Sequence, residues 1–406
     1  MRKKKTAFSR AGRAWLLLLL LLLLPWGLCA GCIEDLPLDA YSYVVNIGIE
    51  RGDTLPYRFV FVMNQEEGAD KASEGETGEK KLMILSAEAR TLREAAATLV
   101  SAVPSQLNFE RTSLLALSRE LAEEGDFAGL EDMAFGRMKL RENMRFVVAE
   151  GRLEEVFSGL MSQADPSMSR LKTNVIHYER QEGLTRDCTL RELLESTQSR
   201  VYDAMAIYCG INDASPKEDM VGGESYPYVG GAMLVAGELG TTIGGTAVFS
   251  GKKMVGILSG QHTMLVRMAR GEFSRGQLRI PWQDDTMLTV YFYRAGRPTL
   301  TLEAGRGVCT IPLEANLEIP LLLPGVSSRE MTAWLEAYLA GEMQRVFRAV
   351  QRENADVFKL GCHMLMGFSS MEKWQAFDVK AACKAVEMTF VPRVTLSHSP
   401  DKTVLE

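Results

Sequence analysis

Gly245-Thr246-Ala247-Val248-Phe249-Ser250-Gly251-Lys252-Lys253-Met254-Val255-Gly256-Ile257-Leu258-Ser259 reads as two strands joined by a turn and passed straight into a helix. Residues 246–249 and 254–258 are apolar and partly β-branched, and Ser250-Gly251-Lys252-Lys253 between them carries turn chemistry. Ser259 offers its hydroxyl to the free N–H groups of a helix that Gly271 ends. A strand pair feeding a helix predicts layered sheet and helix, and the same alternation recurs on both sides.

Toward the N-terminus, residues 43–49 and 57–63 are β-branched and aromatic, and Arg51-Gly52-Asp53-Thr54-Leu55-Pro56 between them predicts a hairpin. The stretch 66–81 has many charges and glycines and no apolar period, which predicts a solvated loop. Residues 82–85 restore a strand. Thr91 with Glu94 has capping-box spacing for a helix running to about Val103, before Pro104. Strands over 112–117 and 144–149 then alternate with helices over 119–124, after Asp126, and over 153–160. Thr189 with Glu192 repeats the capping pattern before a helix reaching about Ser199. Such alternation predicts helices packed on a sheet.

Between 210 and 227 the pattern breaks into Asn, Asp, Ser, Pro and Gly, and the main boundary is placed there. Beyond it a strand is expected over 229–235. Strands over 287–293, 299–302 and 308–319 with Gly-rich turns predict an antiparallel meander. Ser327 with Glu330 opens the longest helix, 328–354, whose Met331, Trp334, Leu335, Tyr338 and Leu339 share one face. A strand over 385–396 closes the chain. The predicted class is α+β and multi-domain: an N-terminal mixed α/β region, then an antiparallel sheet packed against a long C-terminal helix. The expected divisions are 1–31, 32–209, a linker at 210–227, and 228–400.

The first residues carry a different message. Arg2, Lys3, Lys4, Lys5, Arg10 and Arg13 precede leucines at every position from 16 to 24, a basic region before an apolar run short of the roughly 20 residues a membrane span needs. Leu28-Cys29-Ala30-Gly31-Cys32 resembles a lipobox, with Cys29 standing where leucine is usual. Cleavage there leaves Cys32 as the N-terminus with a diacylglycerol on its sulfur; ordinary signal cleavage after Ala30 is the competing outcome. Two or three acyl chains, at about 0.8 kcal/mol per buried CH₂, hold a protein on a membrane durably. Removing 1–31 leaves 40 basic residues against 52 acidic ones, a net charge of −12. An acidic body of this kind argues against nucleic acid as a partner and against a basic face for anionic lipid.

Catalytic signatures do not emerge. The sequence has no Gly-x-Ser-x-Gly, His-Glu-x-x-His or P-loop pattern, and its four histidines are scattered. The glycines between 222 and 245 separate apolar stretches and suit turns and close packing better than phosphate binding. Cys362 and His363 are adjacent, and neighbours on a helix diverge by about 100°, which disfavours a metal pair. His177 and His262 are expected as surface or cap residues, and the apolar run 254–258 as core rather than partner surface. Beyond Cys32 the cysteines are 188, 209, 309, 362 and 383, an odd number that cannot all pair within one chain. Most are read as small buried apolar residues, with a bridge from Cys188 to Cys209 left open. No cofactor, metal or catalytic residue is assigned.

Several segments, in order, resemble the Ger(x)C family of spore germination lipoproteins over nearly the whole chain beyond Cys32. They are Tyr43-Val44-Val45-Asn46-Ile47-Gly48-Ile49-Glu50, the 119–125 helix, Arg141-Glu142-Asn143-Met144-Arg145-Phe146-Val147-Val148-Ala149, the 245–259 segment with Arg270-Gly271, Asn316-Leu317-Glu318-Ile319, and Asp356-Val357-Phe358-Lys359-Leu360-Gly361. The chain departs from the family pattern at Cys32-Ile33-Glu34, at the 66–81 insertion and at Cys362-His363-Met364. The resemblance implies a non-catalytic C subunit of a nutrient germinant receptor. It implies a lipid anchor at Cys32 on the outer face of the spore inner membrane, beside integral membrane A and B subunits. The alternative is a solute-binding lipoprotein serving a transporter, which requires two similar α/β lobes around a cleft.

Overall fold

The computed structural model describes residues 15, 41–65, 81–103, 106–127, 129–130, 140–161, 183–213, 215, 217–222, 229–233, 240–282, 287–317 and 326–397. The expected signal peptide apart from Trp15, Cys32, His177 and all but the last residue of the expected loop 66–81 lie outside the described residues. Lys81 belongs to a strand.

Strands β1 (Tyr41–Arg51) and β2 (Tyr57–Gln65) form the predicted hairpin, and β3 (Lys81–Ala89) adds to it antiparallel. The Glu88 carboxylate accepts from the N–H groups of Asp53, Thr54 and Leu55 at 2.8–3.0 Å, which fixes the hairpin turn. Those bonds hold its carboxyl down at about 2. Helix α1 (Leu92–Val100) starts at Thr91, whose hydroxyl accepts from the Glu94 N–H. The Glu94 carboxylate accepts from the Arg90 N–H instead of closing the box on Thr91. The short β4 (Gln106–Asn108) pairs with β1, and β5 (Leu114–Ser118) lies parallel to β1.

Parallel addition continues through α2 (Arg119–Glu124), β6 (Arg145–Glu150), α3 (Leu153–Met161), α4 (Leu190–Ser199) and β7 (Met205–Ile211). The hairpin β8 (Thr241–Ser250) and β9 (Lys253–Leu258) then completes a nine-stranded sheet of order β3-β2-β1-β5-β6-β7-β8-β9, with β4 off the path. Gly251 makes the tight β8–β9 turn with φ +61°, a left-handed backbone that glycine enters without a Cβ clash. Helices cover both faces. Leu92, Leu99, Leu121, Leu193 and Leu194 pack on Ile47, Phe61, Leu115, Phe146 and Tyr208, while Leu153, Val156 and Phe157 pack on Val60, Leu114, Val147 and Ile207 from the other side.

This sheet extends past the expected linker at 210–227. The segment 210–227 does not separate two sheets, because β8 hydrogen-bonds to β7 across it and β9 follows. Composition carries no information on whether the strands to either side are paired. Strand β7, which fills the gap, shows no period-two alternation because it is buried on both faces.

Helix α5 (Gly260–Arg270) leads into β10 (Arg275–Pro281), β11 (Met287–Arg294), β12 (Thr299–Glu303) and β13 (Arg306–Leu317), all antiparallel in the order β10-β11-β13-β12. Helix α6 (Ser328–Arg352) carries the full capping box, with the Ser327 hydroxyl accepting from the Glu330 N–H and the Glu330 carboxylate accepting from the Ser327 N–H. Three short helices follow, α7 (Leu360–Leu365), α8 (Met371–Ala376) and α9 (Val379–Ala385). The final strand β14 (Glu387–Leu396) pairs parallel to β13, so the second sheet is mixed and not a pure meander. A helical crossover returns the chain in its original direction, which makes parallel pairing the natural outcome.

Met331, Leu335, Leu339, Met343, Val346 and Val350 form the buried stripe of α6. Full burial of Leu335 and Leu339 contributes about 2 kcal/mol each. The core under this helix also includes Met205, Val248 and Leu258 from the first sheet. The second half is thus built onto the far strands of the first. The two sheets differ in size, topology and helix cover, so they are not the matched lobes that the solute-binding alternative requires.

Candidate coupling interface between the two sheets

Three clusters of buried or half-buried charge join the halves. The first centres on Asp203, just before β7 and 2% exposed. Its Oδ1 accepts from the Gly251 N–H at 2.8 Å, and its Oδ2 accepts from the Asp356 N–H at 2.6 Å and from Lys380. Asp356 in turn caps α7, accepting from the N–H groups of Leu360 and Gly361 at 2.9 and 2.8 Å. Burial pushes the Asp356 carboxyl up, the Leu360 and Gly361 N–H groups pull it down, and the nearby Asp203 charge pushes it up again, leaving it at about 6. Gly361 is required by proximity, since a Cβ there would lie 2.6 Å from the Val201 carbonyl oxygen.

The second cluster gathers on Glu272. Arg186 Nε donates to one carboxylate oxygen at 3.0 Å; Arg270 Nε and Lys359 Nζ donate to the other at 3.0 and 2.9 Å. Arg186 also pairs with Glu192 of α4 and donates to the Met205 carbonyl, and Arg270 reaches the Val357 carbonyl. Burial raises the Glu272 carboxyl, but Arg270, Arg186 and Lys359 outweigh it and hold it far below the ordinary range. Three cations from three parts of the chain therefore meet on one carboxylate, and Glu192 holds one of them from α4.

The third cluster centres on His262, expected as a surface or cap residue, which stands in the capped first turn of α5 with its side chain partly buried. Ser259 does cap α5, its hydroxyl accepting from the His262 N–H. The imidazole Nδ1 lies 2.8 Å from Asp219 Oδ2 and Nε2 lies 3.8 Å from Glu342 on α6. Asp219 also accepts from the N–H groups of Ser259 and Val221 at 2.6 and 2.8 Å. Burial lowers the imidazole, but bonding to Asp219 and Glu342 overrides it and lifts the group to about 9. A charged His262 thus ties the β7–β8 connection to the long helix. Ser259, His262 and Asp219 do not form a nucleophile relay: Ser259 Oγ and Asp219 both meet Nδ1, whereas a relay needs the two ring nitrogens to serve different partners.

The cysteines among the described residues carry no activated thiol. Cys188, Cys209, Cys309, Cys362 and Cys383 are all free. Burial pushes Cys188 and Cys209 up to about 12 and Cys309 to about 11, which keeps them protonated. Cys362 and His363 lie on α7, and no group of three or more His, Cys, Asp or Glu among the described residues is placed to hold a metal. Met254, Ile257 and Leu258 are core. Cys32, the one residue assigned a role from sequence, lies outside the described residues.

Sequence reading missed Asp203, Asp219, Glu272 and Asp356. None belongs to a spacing motif. The available signal was a lone charge inside an apolar run, as in Ala355-Asp356-Val357-Phe358.

Two family models match the chain in series. One is described as the spore germination protein N-terminal domain and covers 35–211; the other is described as spore germination B3/GerAC like, C-terminal, and covers 244–399. The first match ends with β7 and the second begins within β8. No curated protein matches. A solved structure described as the crystal structure of the GerBC protein covers 87% of this chain and 97% of its own, with a TM-score of 0.50 at 12% identity, a likeness of fold. With both halves matched in order and this architecture shared, the chain belongs to the Ger(x)C family of spore germination proteins.

Proposed function

We propose that this protein is the lipid-anchored, non-catalytic C subunit of a nutrient germinant receptor, held by Cys32 on the outer face of the spore inner membrane beside integral membrane A and B subunits. The observation that carries this reading is the order of parts: a lipobox-like stretch ending at Cys32, then two germination-family segments that begin at residue 35. No helix among the described residues is long and apolar enough to cross a membrane, which fits a membrane role supplied by the lipid. The charge clusters support a mechanical contribution. Two sheets tied by buried ion pairs move as one body, so a displacement imposed by a partner on one half is carried to the other.

Spores lacking related receptors and carrying either a deletion of this gene or Cys32→Ala test the reading. Loss of the nutrient response in both strains is expected. A normal nutrient response in both would refute it.

A further inference from the structure

The chain from Met364 to Met371, Met-Leu-Met-Gly-Phe-Ser-Ser-Met, has no charged residue in a protein that is 24% charged. It forms the turn between α7 and α8. Met366 and Met371 are 75% and 62% exposed, above every other large apolar side chain among the described residues apart from Trp15. Single exposed apolar residues are ordinary on a protein surface, but this pair stands at the two ends of one built turn. Phe368 between them packs inward, its ring 5.3 Å from Trp374 and 4.9 Å from Phe377. The Gly367 and Phe368 N–H groups donate to the Met364 and Leu365 carbonyls at 3.0 and 3.1 Å, and the Ser370 hydroxyl accepts from the Lys373 N–H. Aromatic packing beneath and bonded backbone donors fix the turn, while both methionines stand in water.

The place of this turn in the fold points to what covers it. Helix α7 begins against the entry to β7: Gly361 sits on the Val201 backbone, and the Asp356 N–H is bonded to Asp203. Strand β7 runs parallel to β6, β5 and β1 in turn, so Asp203 lies at the same end of the sheet as Val44. Three strand spacings, roughly 15 Å, separate the two. Met366 follows Gly361 by five residues, about 8 Å along a helix. The eight residues between Cys32 and Tyr41 span at most about 30 Å when extended. The turn thus stands at the end of the sheet where the chain arrives from Cys32, within reach of a surface to which a lipid there would hold it.

We propose that this turn enters the boundary of a lipid bilayer, with Met366 and Met371 among the first carbons of the acyl chains and Lys373 at the headgroups. The anchored body then has a second point of contact and one fixed orientation. Methionine suits the place, because its unbranched, flexible thioether adapts to irregular apolar surroundings. Lysine keeps its ammonium in water while its stem lies along apolar surface. A backbone entering lipid has to satisfy its own polar groups, and the Gly367 and Phe368 donors already are. The stretch carries no charge, so the contact requires no anionic lipid, in keeping with the acidic body. The position of the bilayer rests on the anchored reading above, and the test separates the two.

Full-length lipidated protein in phosphatidylcholine vesicles, doped with a lipid that carries a photoactivated diazirine on its upper acyl chain, tests it by peptide mapping. Among peptides beyond residue 41, the one holding 364–371 is expected to take about fivefold more crosslink than any other. Met366→Asp with Met371→Asp should remove that crosslink and leave the melting profile unchanged, because both side chains are exposed. The same map is expected when a chain beginning at residue 32, with Cys32→Ala, is held by an N-terminal hexahistidine on nickel-chelating lipid. Absence of acyl chains on Cys32 would therefore refute the anchored reading, and this second arm would still decide the turn. Vesicle-bound protein without crosslinks at 364–371, or with crosslinks unaltered in the double variant, would overturn the proposal. So would a dimer in detergent that the double variant dissociates, which would assign the turn to a second copy of the chain.

Discussion

Asp203 and Asp356, 153 positions apart, exchange two hydrogen bonds: the Asp356 N–H donates to Asp203 Oδ2 at 2.6 Å, and the Asp203 N–H donates to the Asp356 carbonyl at 2.9 Å. The first residue leads into the nine-stranded sheet, and the second lies between the long helix and α7. This closed pair, with Lys380 on it, is where the two halves are most directly joined.

Asp203→Ala removes the acceptor for Gly251, Asp356 and Lys380 together. Breaking one side of a buried pair typically costs about 3–5 kcal/mol, and a loss of that size is expected in urea unfolding. A loss below about 1 kcal/mol would mean that the junction is not held by this residue.

His262 makes stability depend on pH in a defined window. Its folded value, about 9, lies above the unfolded value of about 6.5, so the folded state retains the proton more strongly. The contribution is fully present below about pH 6.5 and disappears as pH rises through about 9. Relative to His262→Gln, the unaltered protein should lose an advantage on the order of 2–3 kcal/mol across that window. A constant gap between the two from pH 6 to 10 would show that the imidazole is not charged in the fold.

Two glycines in helices should respond in opposite directions. Gly361→Ala drives a methyl group into the Val201 carbonyl and should destabilise by about 1–3 kcal/mol. Gly341 on α6 is exposed with nothing near its Cβ position, so Gly341→Ala should stabilise by about 0.5–1 kcal/mol. Thermal melts of the two variants decide it.

Leu339 on the α6 stripe is fully buried, and Leu339→Ala should cost about 2–5 kcal/mol. The exposed Met366 should be within about 0.5 kcal/mol of neutral when changed to Ala. Equal losses at both positions would contradict the packing described for the helix.

Much of the fold was legible because local rules coincide with it. The hairpin at 43–63, the Ser259 cap with its Gly271 stop, and the Ser327–Glu330 box all act within a few residues, and each stands where the sequence places it. Legibility ended where long-range pairing decides. Strand β7 has no alternation, the parallel approach of β14 to β13 depends on the crossover between them, and the continuation of the first sheet into β8 and β9 is invisible in composition. The coupling residues were hidden for the same reason. Asp203, Glu272 and Asp356 join the halves through the pairs Arg186–Glu272, Asp203–Asp356 and Asp203–Lys380, whose members are 86, 153 and 177 positions apart, beyond the reach of any local pattern.

The most direct test of the proposed anchored subunit is chemical. Cells forming spores are fed radioactive palmitate, and the protein is isolated with Cys32 intact and with Cys32→Ala. Label on the first and none on the second, with the first mature peptide beginning at Cys32, is the expected result. An unlabelled protein that leaves the membrane fraction and begins at Gly31 or earlier would contradict the account.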